Sequence, residues 1–235
     1  MIDPVFAAAA LEKFVGCDSD ESNAGTAEMP SVWLFGIEHG AVGNIVQESQ
    51  LPANEYSVGQ QLTYTYNRKA FKLLAAIEGR NVADYRDFAE EKQPFVRGVP
   101  GYFKGNLYPF ACSNVNNWPE DAARETGTTD KREYQDWCRM SRLPTLHTWV
   151  NEYQPRLFIG VGVTCRDEFS QAVFGARCAF TDHAFNVNGH RKRAFSRTEQ
   201  GRTLAVVPHF SGANGLNSDE SIQIVGRLIA DLKLA

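Results

Sequence analysis

The stretch from Leu204 to Leu216 changes character halfway along, and that change limits what the chain can fold into. Leu204, Ala205, Val206 and Val207 are apolar and read as a buried strand, whereas the next residues hold His209, Ser211, Asn214 and the glycines Gly212 and Gly215. A helix follows: Asn217 or Ser218 suits its N-cap, Asp219 and Glu220 suit the positive end of its dipole, and Ile222, Val225, Ile229 and Leu232 recur at helical spacing. Strand, polar loop and helix N-terminus in succession is the geometry in which α/β folds place ligand sites, with backbone N–H groups aimed at an anion.

The same alternation runs through the rest of the chain. Residues 1–30 begin with an apolar helix over Val5 to Val15, turn polar, and read as a peripheral arm ahead of a single domain spanning 31–235. Ser31 to Gly36 is a strand that delivers Ile37-Glu38-His39-Gly40 into a loop, and residues 41–66 are turn-rich and aromatic, so they read as a loop. Asn67 caps a helix through Ile77, and a shorter helical piece covers Val82 to Lys92. Tyr102 to Cys112 reads as a strand ending at Pro109, and residues 113–130 as a long loop. Helical pattern resumes over Lys131 to Met140 and again after Pro144, where Leu146, Trp149, Val150 and Tyr153 form one stripe. Arg156 to Gly162 is a further strand, and Thr164 opens a helix ending near Gly175. Asn188-Gly189 marks a hairpin within residues 176–203. This order predicts an α/β fold with a mostly parallel sheet covered on both faces.

Composition narrows the function classes. At 235 residues, 43% hydrophobic and 22% charged, the chain can bury one large core. No run approaches the roughly 18 apolar residues of a membrane span, and Met1-Ile2-Asp3-Pro4 lacks a basic leader. No membrane association and a cytoplasmic location are the expectations. Cys17, Cys112, Cys138, Cys165 and Cys178 are odd in number and widely spaced, which argues against a disulfide framework and a ready-made zinc or iron–sulfur site. Cys112, Cys138, Cys165 and Cys178 read as small core residues, and Trp137 and Trp149 as core aromatics. The net charge of −4 counts against nucleic-acid contact over the whole surface. Basic residues concentrate instead at His190, Arg191, Lys192, Arg193, Arg197 and Arg202, just ahead of the His209 loop. That run reads equally as a solvated hairpin or a phosphate-tracking surface. Gly160-Val161-Gly162 lacks the third glycine of a dinucleotide fingerprint, and neither a G-x-S-x-G elbow nor a P-loop lysine motif occurs.

The loops Gly36–Gly40 and Pro208–Gly215 meet if their strands are neighbours in one parallel sheet. Glu38 then offers a carboxylate that holds a water or faces a developing cation, His209 a donor for a developing anion, and Ser211 and Gly212 a phosphate cradle. That combination suits cleavage of an N-glycosidic bond.

At these residues the chain resembles the uracil-DNA glycosylase superfamily. Its members pair a strand-end motif of the type G-Q-D-P-Y or G-I-N-P-G with a later H-P-S-G-x-N. Gly36-Ile37-Glu38-His39-Gly40 and His209-Phe210-Ser211-Gly212-Ala213-Asn214 stand in those places, with Gly105-Asn106-Leu107-Tyr108-Pro109 between them. The resemblance implies a three-layer α/β/α fold around a central, mostly parallel four-stranded sheet. It implies a monomeric base-flipping enzyme of DNA repair, acting on uracil or another deaminated or damaged base and using no metal or cofactor. By position, Glu38 is the water-activating or cation-stabilising acid, His209 the donor to the base, and Asn106 the reader of its Watson–Crick edge. Tyr56 or Phe110 would stack on the base. Gly40 replaces the tyrosine that excludes thymine and leaves room for a larger base. Ser211 and Gly212 would clamp phosphates, Asn214 and Leu216 lie where a loop enters the duplex, and Arg191, Lys192 and Arg193 would line the DNA face. His39 and Phe210 stand where the family has proline. A catalytically inactive nucleic-acid- or nucleotide-binding protein on the same fold accommodates these departures.

Overall fold

Val32–Gly36 is buried at every position, as a strand must be when both faces of a parallel sheet are covered. The computed structural model describes residues 1–40, 56–112 and 118–232. In chain order the elements are α1 (Pro4–Ala10), α2 (Glu21–Ala24), β1 (Val32–Gly36), α3 (Val58–Gln61), α4 (Thr65–Ile77), α5 (Tyr85–Lys92), β2 (Tyr102–Asn106), α6 (Glu120–Thr126), α7 (Lys131–Trp137), α8 (Leu143–Tyr153), β3 (Leu157–Val161), α9 (Arg166–Phe174), β4 (Thr181–Val187), β5 (His190–Glu199), β6 (Arg202–Val207) and α10 (Asp219–Leu232). The parts of the expected loops that fall on residues 41–55 and 113–117 lie outside the described residues, whereas the rest of the expected 113–130 loop is not irregular but holds α6, closed by Gly127 at positive φ.

The sheet order is β2-β1-β3-β6-β5-β4. The first four strands are parallel, as the strand–helix alternation predicts. The sheet nevertheless has six strands, not four. Asn188 and Gly189, both at positive φ, turn β4 into β5, and a second such turn at Gln200-Gly201 folds β5 back against β6. The hairpin therefore continues the sheet from Phe195↔Val206 to Glu199↔Arg202. Gln200-Gly201 is thus a second hairpin turn within the 176–203 region, where the sequence marks only Asn188-Gly189.

Strand periodicity sorts the side chains into two cores. Trp33, Phe35, Phe103, Phe158 and Val206 form an aromatic-rich core with residues of α1, α7, α8 and α9. Val32, Leu34, Ile159, Ala205 and Val207 form a second core with residues of α4, α5 and α10. Cys17, Cys112 and Cys138 are buried small residues, and all five cysteines are free thiols. No helix among the described residues is long and apolar enough to cross a membrane.

The N-terminal arm is not peripheral. Its helix stops at Ala10 rather than Val15, and Phe6, Phe14 and Cys17 enter the aromatic core, with Phe14 5.3 Å from the Phe103 ring. Beyond the helix the chain runs along the outer edge of β2. Asn106 donates its N–H to the Gly16 carbonyl at 3.1 Å and Asp18 donates to the Lys104 carbonyl at 3.1 Å, so the arm covers what would be a free sheet edge. Arg142, wholly buried against Trp149, donates to the carbonyls of Ala10 and Val15. Three further boundaries differ from expectation. Tyr64 precedes α4, which starts at Thr65 ahead of Asn67, and α3 lies just upstream of it. A π-helical turn, Cys138–Arg142, joins α7 to α8 just ahead of Pro144, which has no N–H to continue the α-helical ladder. β2 ends at Asn106 because Leu107 and Tyr108 turn to donate to the Gly36 and Ile37 carbonyls.

Lys104, in the middle of the buried β2, sets its ammonium 3.1 Å from Asp18 Oδ2, with both side chains nearly inaccessible. Removing one member of a buried pair strands the other charge. Lys104→Met is expected to lower unfolding stability by about 3–5 kcal/mol in urea. A double-mutant cycle with Asp18→Asn should return a coupling between the two sites.

Candidate functional site

The four parallel strands end on one edge, where the β1 and β6 loops emerge. β1 and β6 are not neighbours, however: β3 lies between them, so their axes stand about 10 Å apart. Their loops are also anchored toward opposite faces.

After Gly36 the chain is knitted to residues 107–112, with the Cys112 N–H donating to the His39 carbonyl at 3.0 Å. Glu38 points toward α7, where Lys131 Nζ lies 3.1 Å from Oε1 and 3.0 Å from Oε2, both side chains being buried. The Lys131 ammonium sits 5.9 Å from the Trp118 ring. Burial pushes the Glu38 carboxyl above the usual carboxylate range, and Lys131 pulls it back. His39 Nε2 lies 3.8 Å from Asp18 Oδ1. Gly40 is exposed, and among the described residues no atom lies within 4 Å of the position of a side chain there.

Asn106 closes β2 directly over Gly36. A Cβ at Gly36 would lie 2.5 Å from Asn106 Oδ1 and 3.3 Å from the Tyr66 hydroxyl, so glycine here is what admits both groups. Asn106 Nδ2 donates to the Gly16 carbonyl at 3.3 Å. Beside it, the Tyr56 hydroxyl donates to Asp18 Oδ1 at 3.0 Å and accepts from Lys104 at 2.9 Å and Asn67 at 3.0 Å. Lys104 and Arg97 lie against the Tyr56 ring at 5.6 and 5.9 Å, so this ring is packed by cations and presents no face to a base. Phe110 is wholly buried among Phe6, Trp118 and Tyr134 and is likewise no stacking platform.

His209 follows β6 at the other loop. The Ser211 N–H donates to His209 Nδ1 at 3.2 Å, and the Ser211 hydroxyl is 2.9 Å from the same atom. A backbone N–H can only donate, so Nδ1 is an acceptor and the neutral ring carries its proton on Nε2. Among the described residues Nε2 has no hydrogen-bond partner. Burial lowers the imidazole pKa below its ordinary value, and the charge of Lys69 lowers it further. The neutral ring is therefore an N–H donor at neutral pH.

Two lysines shape this loop from beneath. Lys69 on α4 donates to the Phe210 carbonyl, and Lys192 on β5, buried, donates to those of Ala213 at 3.2 Å and Gly215 at 2.6 Å. The turn is tight enough that a Cβ at Gly215 would fall 2.1 Å from the Ser211 carbonyl oxygen. Ser211, Gly212 and Asn214 are exposed, but Leu216 is wholly buried in the second core, where it cannot enter a duplex. The basic run divides in the same way. Lys192 is internal, whereas Arg191 and Arg193 of the predicted DNA-facing triplet are both exposed, Arg193 paired with Asp182, and Arg197 pairs with Glu199.

The structure thus brings Asn106, Tyr66 and His209 into one neighbourhood, the Tyr66 and His209 rings being 6.3 Å apart, and carries Glu38 away toward Lys131. Nothing in the sequence assigns a site role to Tyr66, Lys131, Asp18 or Lys69, and Lys192 reads there as facing DNA, since each acts across a long chain separation. Among the described residues no group of three or more His, Cys, Asp or Glu side chains is placed to hold a metal ion. A scan against protein-family models and a search of the curated proteins find no match to this chain.

Lys192→Met should leave two carbonyls without their donor and cost about 2–3 kcal/mol in urea unfolding, with NMR shifts concentrated over residues 209–216. The lowered His209 pKa has a defined sign. The unfolded chain binds a proton below about 6.5, where the folded ring resists it, so this contribution to stability is complete above that pH and is lost as pH falls through the folded value. A histidine titration by NMR checks it, with His209 titrating below the ordinary value.

Proposed function

We propose that this chain is a divergent, uracil-DNA glycosylase-like α/β/α protein that binds a nucleobase flipped out of DNA and hydrolyses its N-glycosidic bond. One observation carries the reading: His209 is held as the neutral Nε2–H tautomer by the Ser211 N–H, next to Tyr66 and on the edge where Asn106 sits. In the reaction the C1′–N bond breaks, its electron pair leaves with the base, and Nε2–H stabilises the resulting anion. Water adds to the sugar cation and its proton ends in solvent or on the base. Asn106 is the reader of the base edge. Ser211, Gly212, Asn214 and Arg191 are the proposed contacts to the DNA backbone, and monomeric, cytoplasmic operation fits the same reading.

Glu38 has a smaller part in this scheme. Lys131 neutralises its charge at 3.0 Å, so little negative potential reaches a sugar cation. That ion pair favours the second reading, a nucleic-acid- or nucleotide-binding protein without turnover.

Incubating the protein with oligonucleotides carrying uracil, hypoxanthine, xanthine or a G·T mismatch, followed by alkaline cleavage, separates the two. On the glycosylase reading a base is released, and His209→Ala lowers the single-turnover rate by a factor on the order of 10²–10³ with little change in affinity. Glu38→Gln should cost less rate than His209→Ala and more stability. DNA binding without release of any base, unaltered by His209→Ala, establishes the binding reading instead.

A further inference from the structure

The Tyr66 hydroxyl is buried and has no hydrogen-bond partner among the described residues. Its ring is firmly placed: it packs edge-on against Phe210 with centroids 4.9 Å apart, and Lys104 Nζ lies 5.3 Å from it on β2. A buried donor left unmet costs about 1–3 kcal/mol, and native structures keep few such groups without a use for them. This one lies above Gly36 together with Asn106 Oδ1. The orientation of that carboxamide is settled by chemistry. Nδ2 must be the end that meets the Gly16 carbonyl, because two acceptors repel, so Oδ1 is the end turned toward Gly36. Among the described residues no donor reaches Oδ1.

We infer that the Tyr66 hydroxyl is a specificity-determining contact of this site, donating to a ring carbonyl oxygen of the bound base while Asn106 Oδ1 accepts from the neighbouring ring N–H. The inference rests on the proposed base-binding function. A phenol O–H and an amide oxygen that share one floor match a ligand edge on which an acceptor and a donor stand side by side. Burial raises the phenol pKa, so the hydroxyl keeps its proton at neutral pH. With His209 Nε2–H as a second donor nearby, the site holds two donors and one acceptor, each supplied by a different element.

The test is a ligand-by-protein cycle. Binding of free uracil, 2-thiouracil, 4-thiouracil, hypoxanthine and 6-thiohypoxanthine is measured by NMR titration on the wild type and on Tyr66→Phe. A thiocarbonyl is a weak acceptor, so the wild type should favour the oxo base over one thio analogue. Tyr66→Phe should bind the oxo base about five- to tenfold more weakly and lose that preference. The melting temperature of the ligand-free variant should stay level or rise, because no internal hydrogen bond is removed. Tyr66→Phe binding all five bases as the wild type does overturns the inference and leaves base binding standing. A melting temperature lowered by several degrees with the oxo/thio preference intact also overturns it, since the hydroxyl would then serve the fold. A wild type that binds none of the bases overturns the base-binding reading itself, and this inference with it.

Discussion

The ammonium of Lys104 is an interior charge on a strand whose other residues are all buried, and much of the site edge is arranged to satisfy it. An isolated ion there would cost several kcal/mol even after relaxation. Asp18 from the N-terminal arm, Tyr56 from the segment before α3, and Asn67 from α4 supply its counter-charge and hydrogen bonds. Three other stretches of the chain are thereby brought to β2, beside Asn106 and Tyr66. Such a pair contributes little net stability compared with an apolar substitute, and its value lies in the arrangement it imposes.

The two loops at this edge differ in how they hold charge. The β1 loop buries Glu38 against Lys131 on the aromatic face, while the β6 loop keeps His209 neutral on the other face, near Tyr66 and Lys69. A parallel sheet delivers both loops to one edge but does not choose the face on which each side chain leaves. That choice comes from the partners, which are a helix lysine for Glu38 and a backbone N–H for His209. Anion stabilisation has a prepared donor here, whereas the charge facing a sugar cation is already spent on an ion pair.

What the sequence made legible follows from the range of the forces involved. The parallel strands, the hairpin at Asn188-Gly189 and the Ser218 cap of α10, whose hydroxyl accepts from the Ser221 N–H, are all set by residues within a few positions of one another. His209 stood out because it closes an apolar run, and Asn106 because of the motif resemblance at Gly105 to Pro109. The misplacements involve long-range partners. Nothing near Leu216 shows that it belongs to the second core, Phe110 is claimed by Phe6 from the far end of the chain, and Lys192 looks like its arginine neighbours until β5 turns it inward. The arm seemed peripheral because its polar residues, Asp18 and Ser19, are buried by pairing rather than by being apolar.

The inward turn of Lys192 makes the edge hairpin and the His209 loop a single mechanical unit. The ammonium bonds two carbonyls of a loop more than twenty residues further along the chain, with β6 threaded between. Local opening of β5 must therefore release the loop as well, so amide protons of the two segments should exchange with one common opening free energy. A strand one in from the β4 edge of the sheet thus sets how long the histidine stays in position.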